Sequence, residues 1–363
     1  YTELAGYADS AALCRASRYE KAVAAQEAGD YADAMALFAD AGQYADSMAR
    51  LRECCKQQGI SIYYFSADAV NAGVDTGYAK QDTISGDDKH FGWRLGRFFL
   101  TGFTRVTADE NQQPVFIKTL GDSVTLWFDL EQDIDALNGN AQLSLAADAN
   151  GYDQQFGIPK TNFGRGTLIV RHTDYQNAKN EPTVYTDYLL AKGTTGANTR
   201  IVLHEEGDYE VALDYEIKDQ SNKLAPQYGN YRIAFNFSVR NGNCMVYPFD
   251  VATGAELTNT AVTENGFYLD LALSRYLDIN VKRETLAEGA TGLTEDVRFN
   301  RPARDGEQYT EEGIYTITVS NRYTGQQTVK QIYVGTNKIL LAHMVTGLSI
   351  EEVREQIAKG GPV

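Results

Sequence analysis

Trp127-Phe128-Asp129-Leu130-Glu131-Gln132-Asp133-Ile134-Asp135 is the stretch whose residue types come closest to chemistry. In an extended strand successive side chains face opposite ways. Leu126, Phe128, Leu130 and Ile134 then point inward, and Asp129, Glu131, Asp133 and Asp135 line the outer face beside Trp127. Carboxylates next to an indole can hold a sugar, bind Ca²⁺ or supply the acid/base pair of a glycosidase. A solvated sheet face has the same pattern. A second acidic site is Asp148-Ala149-Asn150-Gly151-Tyr152-Asp153, in which Asp148, Asn150 and Asp153 could serve as calcium ligands. An EF-hand needs a longer oxygen ladder and a late glutamate. Gln154, Gln155, Phe156 and Gly157 break that ladder, so a plain turn is the simpler reading.

Other reactive types are dispersed. His90, His172, His204 and His343 form no metal-type pair, and no Gly-x-Ser-x-Gly elbow accompanies them. Arg171-His172-Thr173-Asp174 offers a base beside an acid, but at the end of a strand-like run. Gly164-Arg165-Gly166 lacks the Gly-Lys-Ser/Thr of a phosphate loop. Cys14, Cys54, Cys55 and Cys244 lack zinc spacing. Vicinal Cys54-Cys55 reads as small buried hydrophobes on a helix. Trp93, in HFGWRLGRFFLTGF, is a further candidate ligand contact beside Trp127, Asp129 and Glu131, although a Gly-punctuated aromatic run also suits a core hairpin. No residue is assigned a catalytic role, and no cofactor other than Ca²⁺ is implied.

These residues must be positioned by a chain of 363 residues with net charge −16. That length fits two or three domains. The acidic balance argues against nucleic acid and anionic membranes as partners, since both attract Lys and Arg. No apolar run reaches the roughly 20 residues of a spanning helix. The chain begins at Tyr1 without a signal-peptide pattern. A secreted or envelope-attached protein would therefore need targeting segments outside this chain.

Residues 1–58 are Ala-rich and free of proline, and Tyr7-Ala8-Asp9-Ser10 returns as Tyr44-Ala45-Asp46-Ser47. Echoes of this size indicate stacked helices. Gly29-Asp30-Tyr31 makes a turn, lets Asp30 cap a helix, and sets Tyr31, Ala34, Phe38 and Ala41 at helical spacing. This segment resembles the second half of a tetratricopeptide repeat and is expected to be a short stalk or spacer. After Gly59 the pattern turns to alternation broken by Gly, Asn and Asp. Strands are expected at 60–65, 92–106, 115–120, 123–130, 166–172, 183–190, 200–204, 209–218, 231–239, 245–251, 266–273, 276–284, 314–321 and 328–334. Arg240-Asn241-Gly242-Asn243 reads as a hairpin turn. Many strands without crossover helices imply antiparallel sheets.

One phrase occurs twice, as HEEGDYEVALDYEIKD from His204 and TEEGIYTITVSNRYTG from Thr310. Tyr209 and Tyr315 are 106 positions apart, 315 minus 209. Each can pack its ring at a corner and return its hydroxyl to loop backbone, while Val211 and Leu213, or Ile317 and Val319, share one face. This resembles the tyrosine corner of immunoglobulin-like sandwiches, whose domains run to about 100 residues. Residues 305–335, DGEQYTEEGIYTITVSNRYTGQQTVKQIYVG, are similar to the closing hairpin of bacterial immunoglobulin-like modules on Gram-positive surface proteins. The expected fold is mainly β: two antiparallel β-sandwich domains, immunoglobulin-like or jelly-roll-like, preceded by a small α-helical repeat region. The expected domains are helices at 1–58, a larger sandwich at 60–250, an immunoglobulin-like sandwich at 251–336 and a tail at 337–363. In the tail, Ser349 and Glu352 have capping-box spacing before Ile350, Val353 and Ile357.

The resemblance implies a non-enzymatic extracellular or cell-envelope protein with an adhesion, ligand-binding or spacer role. Its partner would be an unidentified extracellular glycan or protein. Two other readings stay open: a glycan-active hydrolase or carbohydrate-binding module using 129–135, and a peptide-binding adaptor built on the N-terminal helices.

Overall fold

The computed structural model describes residues 10–65, 70–71, 82–83, 95–131, 141–143, 152–153, 155–159, 166–189, 198–219, 224 and 227–361. The chain is mainly β and divides into two compact units, Tyr1–Asn241 and Gly242–Val363.

The first unit begins with helices α1 (Ser10–Glu27), α2 (Tyr31–Ala41) and α3 (Ser47–Gln57). The Asp30 side chain accepts from the Asp33 amide at the start of α2. Strands follow: β1 (Tyr63–Tyr64), β2 (Val70–Asn71), β3 (Asp82–Thr83), β4 (Gly96–Thr101), β5 (Arg105–Ala108), β6 (Pro114–Lys118), β7 (Val124–Leu130) and β8 (Ala141–Leu143). Next come β9 (Tyr152–Asp153), β10 (Ile158–Pro159), β11 (Thr167–Thr173), β12 (Thr183–Tyr185), β13 (Ile201–Leu203), β14 (Gly207–Asp219) and β15 (Gln227–Asn241).

Four of these strands form an antiparallel sheet ordered β1-β4-β7-β13. A larger sheet runs β12-β11-β14-β15-β2-β3, with β5, β6 and β8 joined to it. Phe98, Leu100, Leu126 and Phe128 from the first sheet meet Leu168, Val211, Leu213, Ile233 and Phe237 from the second in one buried core. The intervening residues of the first sheet, Phe99 and Trp127, point the other way, into a second core with Ala22, Ala34, Phe38 and Leu51 of the helices. The helices, expected as a short stalk or spacer, pack as a layer on this sheet. Gln43 Nε2 donates to the Phe128 carbonyl at 2.8 Å, Arg200 pairs with Asp40, and Arg52 pairs with Asp129. The vicinal Cys54 and Cys55 are buried on α3, and burial pushes the Cys55 thiol up to about 11.

The second unit contains β16 (Pro248–Asp250), β17 (Ala261–Thr263), β18 (Phe267–Leu269), β19 (Asp278–Thr285), β20 (Thr294–Pro302), β21 (Gln308–Tyr309), β22 (Gly313–Asn321) and β23 (Gln326–Val334). A three-stranded sheet, β16-β18-β21, faces a five-stranded one, β17-β23-β22-β19-β20. Phe267, Leu269, Val281, Tyr309, Ile317, Val319 and Ile332 fill the space between them. Helices α4 (Lys338–Thr346) and α5 (Ile350–Ala358) close the chain. Leu340 and Met344 of α4 cover Ile314 and Tyr333 on the outer face of the larger sheet. The Ser349–Glu352 capping box forms as expected, whereas α4 is an addition to the expected tail.

Other sequence expectations change as well. The strand expected at 92–106 is two elements, β4 and β5, among the described residues. Strand β15 continues to Asn241, paired in parallel with β6, and the Asn241 amide donates to Glu206 Oε1 at 2.6 Å. Residues 242–247 are then a connector, not a hairpin turn. Among the described residues the antiparallel rule has two exceptions, β15 with β6 and β17 with β23.

The doubled phrase forms the same corner in both units. Tyr209 Oη donates to the Glu205 carbonyl at 2.8 Å, and Tyr315 Oη donates to the Glu311 carbonyl at 2.8 Å. The next glutamate carbonyl is also taken in each case. His172, opposite Tyr209 on β11, meets Glu206 O through Nε2 at 2.8 Å. Since a carbonyl only accepts, Nε2 carries the hydrogen. Arg283, opposite Tyr315 on β19, donates to Glu312 O through Nη2 at 2.6 Å. Close approach explains the glycine that follows: a Cβ on Gly207 would lie 2.1 Å from His172 Nε2, and one on Gly313 would lie 2.7 Å from Glu284 O.

The corner hydroxyl is buried with its ring, so its removal leaves a carbonyl unpaired. Tyr315→Phe is expected to lower the stability of the second unit by about 1 kcal/mol. Urea denaturation should show a lower midpoint with an unchanged slope.

Candidate functional site

The sequence-derived site residues divide into covered, exposed and undescribed groups. Trp127 is only 6% exposed; its Nε1–H donates to Thr101 Oγ1 at 3.0 Å and its ring stacks on Phe99. Asp129 shares that face, as alternation requires, but α3 lies over it and Arg52 pairs with it. Burial pushes the Asp129 carboxyl above its usual range, and the Arg52 guanidinium opposes that push. At Trp127 and Asp129, therefore, the face that is outer to the sheet is covered by the helices and not by solvent. Glu131 is exposed just past the end of β7. Trp93, Asp133, Asp135, Asp148 and Asn150 lie outside the described residues. Asp153 pairs with Ile158 between β9 and β10. Among the described residues, no three His, Cys, Asp or Glu side chains converge on a metal position.

A better-formed site lies in the second unit, beside α4. Strand β20 is the outer strand of the five-stranded sheet. From Val281 to Arg283 strand β19 advances two residues, while its partners on β20 step from Arg301 to Asp296, five residues. Residues 297–300 therefore leave the ladder. Phe299 turns inward, with Tyr315 at 5.8 Å and Tyr309 at 6.3 Å between ring centres. Val297 is turned out, 79% exposed.

A ring of four charges holds this excursion. Arg283 Nη1 reaches Asp296 Oδ2 at 2.5 Å and Glu311 Oε2 at 2.9 Å. Arg298 Nη2 reaches the same two oxygens at 2.6 and 2.8 Å. Both guanidinium carbons stand over the Phe299 ring, at 5.3 Å for Arg283 and 5.4 Å for Arg298. Planar guanidinium groups suit such shared carboxylate contacts, and stacking on an aromatic ring adds cation–π attraction. Hydrogen bonds from Arg298 come first among the causes that hold the Asp296 carboxyl down at about 2. The ring borders an open cleft of about 540 Å³, whose walls include Leu286, Glu312, Val297 and Leu340. Arg283 serves twice, in this ring and in the tyrosine corner.

No reaction is specified by this arrangement. It presents two ion-paired arginines, an exposed valine and a charged hollow. Sequence reasoning passed over it. The available signal was Asp296-Val297-Arg298, opposite charges two apart in a strand.

No protein-family profile matches the chain, and no curated protein matches it. Among solved structures, one similar chain is the crystal structure of the N-terminal four Ig domains of Dscam1 isoform 6.44. The two are 10% identical over 76% of this chain and 70% of that chain, with a TM-score of 0.13. Among the described residues, no helix is long and apolar enough to cross a membrane.

A carboxylate with a depressed folded-state value contributes stability above its unfolded value, and the contribution is lost as pH falls through the folded one. For Asp296 that window runs from 3.8 down to about 2. The second unit should lose stability across it, and Asp296→Asn should flatten that part of a plot of denaturation midpoint against pH.

Proposed function

We propose that the chain is a non-catalytic binding protein of the cell envelope, in which the β20 excursion of the second unit contacts an extracellular protein or glycan. The observation that carries this reading is the excursion itself. An edge strand gives up its ladder over residues 297–300, and two arginines, two carboxylates and Phe299 hold the resulting loop in one shape. Preorganisation lowers the entropy cost of binding, and arginine beside an apolar residue is a frequent composition of interface hot spots.

The envelope location is supported by the similarity of 305–335 to Gram-positive surface modules and by the paired tyrosine corners. The hydrolase reading uses the acids of 129–135; of these, Asp129 is paired with Arg52 beneath α3 and Glu131 is exposed. In the adaptor reading the helices would need an open face; Ala34, Phe38 and Leu51 instead face the sheet.

The test is an array of immobilised glycans and extracellular proteins probed with the purified chain. At least one probe should bind. Val297→Asp combined with Arg298→Ala should weaken that binding by tenfold or more with an unchanged far-ultraviolet spectrum. A silent array, or a hit indifferent to both substitutions, would remove the proposal.

A further inference from the structure

Helix α4 has a second hollow on its other flank. Leu341, Ala342 and Val345 of α4, Leu348 of the turn, and Val353 and Ile357 of α5 enclose about 340 Å³ of largely apolar space. Its rim is open: Val345 is 63% exposed and Ile357 37%. The helices are formed without help from any occupant. Asn337 caps α4 by accepting from the Ile339 and Leu340 amides, Gly347 ends it in the left-handed region, and the Ser349–Glu352 box starts α5. The hollow is therefore a standing feature of the hairpin.

We propose that a second copy of this chain occupies it, through a two-fold pairing of the α4–α5 hairpins. Three observations favour a copy over another partner. A two-fold interface must be self-complementary, with projection and recess on the same patch. Here the projections are Val345 and Ile357, and the small Ala342 leaves the recess between them. The second observation is charge. The chain carries −16 overall, yet the hairpin is balanced: Lys338, Arg354 and Lys359 against Glu351, Glu352 and Glu355. Two acidic molecules can approach here without the repulsion that their other surfaces impose.

The third observation is how the charges are placed. Glu351 and Glu352 occupy the first turn of α5, and Lys359 caps its end, where its ammonium also pairs with Glu355 at 2.5 Å. An antiparallel pair of α5 helices opposes the two helix dipoles and brings Lys359 of each beside Glu351 of the other, in exchange for its pairing with Glu355. A nine-residue helix is only about 14 Å long at 1.5 Å per residue. The patch is consequently smaller than the roughly 800 Å² per partner of a standard interface, and the dimer belongs to the weak, transient class.

Sedimentation velocity over a concentration series tests this on the 363-residue chain. Wild type should move from 40.1 kDa towards twice that mass as concentration rises into the hundreds of micromolar. Val345→Asp, at an exposed position, should stay monomeric with an unchanged far-ultraviolet spectrum. Lys359→Glu should weaken association, and Glu351→Lys added to it should restore association. Wild type that stays monomeric at the highest concentration would overturn the proposal, as would a Val345→Asp chain that still dimerises. A double charge swap that fails to restore the dimer would overturn the antiparallel arrangement.

Discussion

A strand that places Phe98, Phe99 and Leu100 in succession cannot turn either face to water. All three side chains are fully buried. With Phe98 opposite Phe128, Phe99 opposite Trp127 and Leu100 opposite Leu126, the middle of the β4–β7 pair is apolar on both sides. Burial of large apolar side chains is worth about 1.5–3 kcal/mol each, so both faces must be covered. The larger sheet covers one and the three helices cover the other. Much of the first unit follows: why the Ala-rich segment is short and closely packed, why Gln43 reaches into the sheet, and why Trp127 has its N–H satisfied by Thr101.

The same constraint explains which features could be read from the residues. Alternation in VTLWFDL placed Trp127 and Asp129 on the face opposite Leu126 and Phe128, and the structure agrees. What lay over that face was not legible, because an acidic residue paired with a distant arginine reads the same as one facing water. Arg52 is 77 positions away from Asp129. The tyrosine corners were legible since their chemistry is local, four residues from donor to acceptor. The capping box of α5 was legible for the same reason. The charge ring was not: Arg283, Asp296 and Glu311 meet only after β19, β20 and β22 pair. The end of β15 was misread because Asn241-Gly242 is a good turn signal, and a parallel partner and Glu206 override it.

The recurring Glu-Glu-Gly-x-Tyr phrase is more specific than a turn. Each of its parts has a partner: the tyrosine hydroxyl takes the first glutamate carbonyl, a basic side chain takes the second, and glycine makes room for the neighbouring strand, for the His172 ring at one corner and the Glu284 carbonyl at the other. His172 and Arg283 are unlike in sequence but equivalent in place, each across the ladder from its corner tyrosine. In the second unit the basic residue is an arginine, whose remaining donors reach out to Asp296 and Glu311. The fold's corner and its candidate recognition loop are therefore joined through one guanidinium.

The departure of β20 from its ladder has a further effect. A straight outer strand offers a row of unpaired amides and carbonyls on which a neighbouring chain can build. Residues 297–300 interrupt that row, and Val297 is turned out to solvent there. Many copies crowded side by side would find no continuous template along this border. Contact between them must be negotiated by side chains, which can be selective, and not by backbone, which recruits any extended polypeptide.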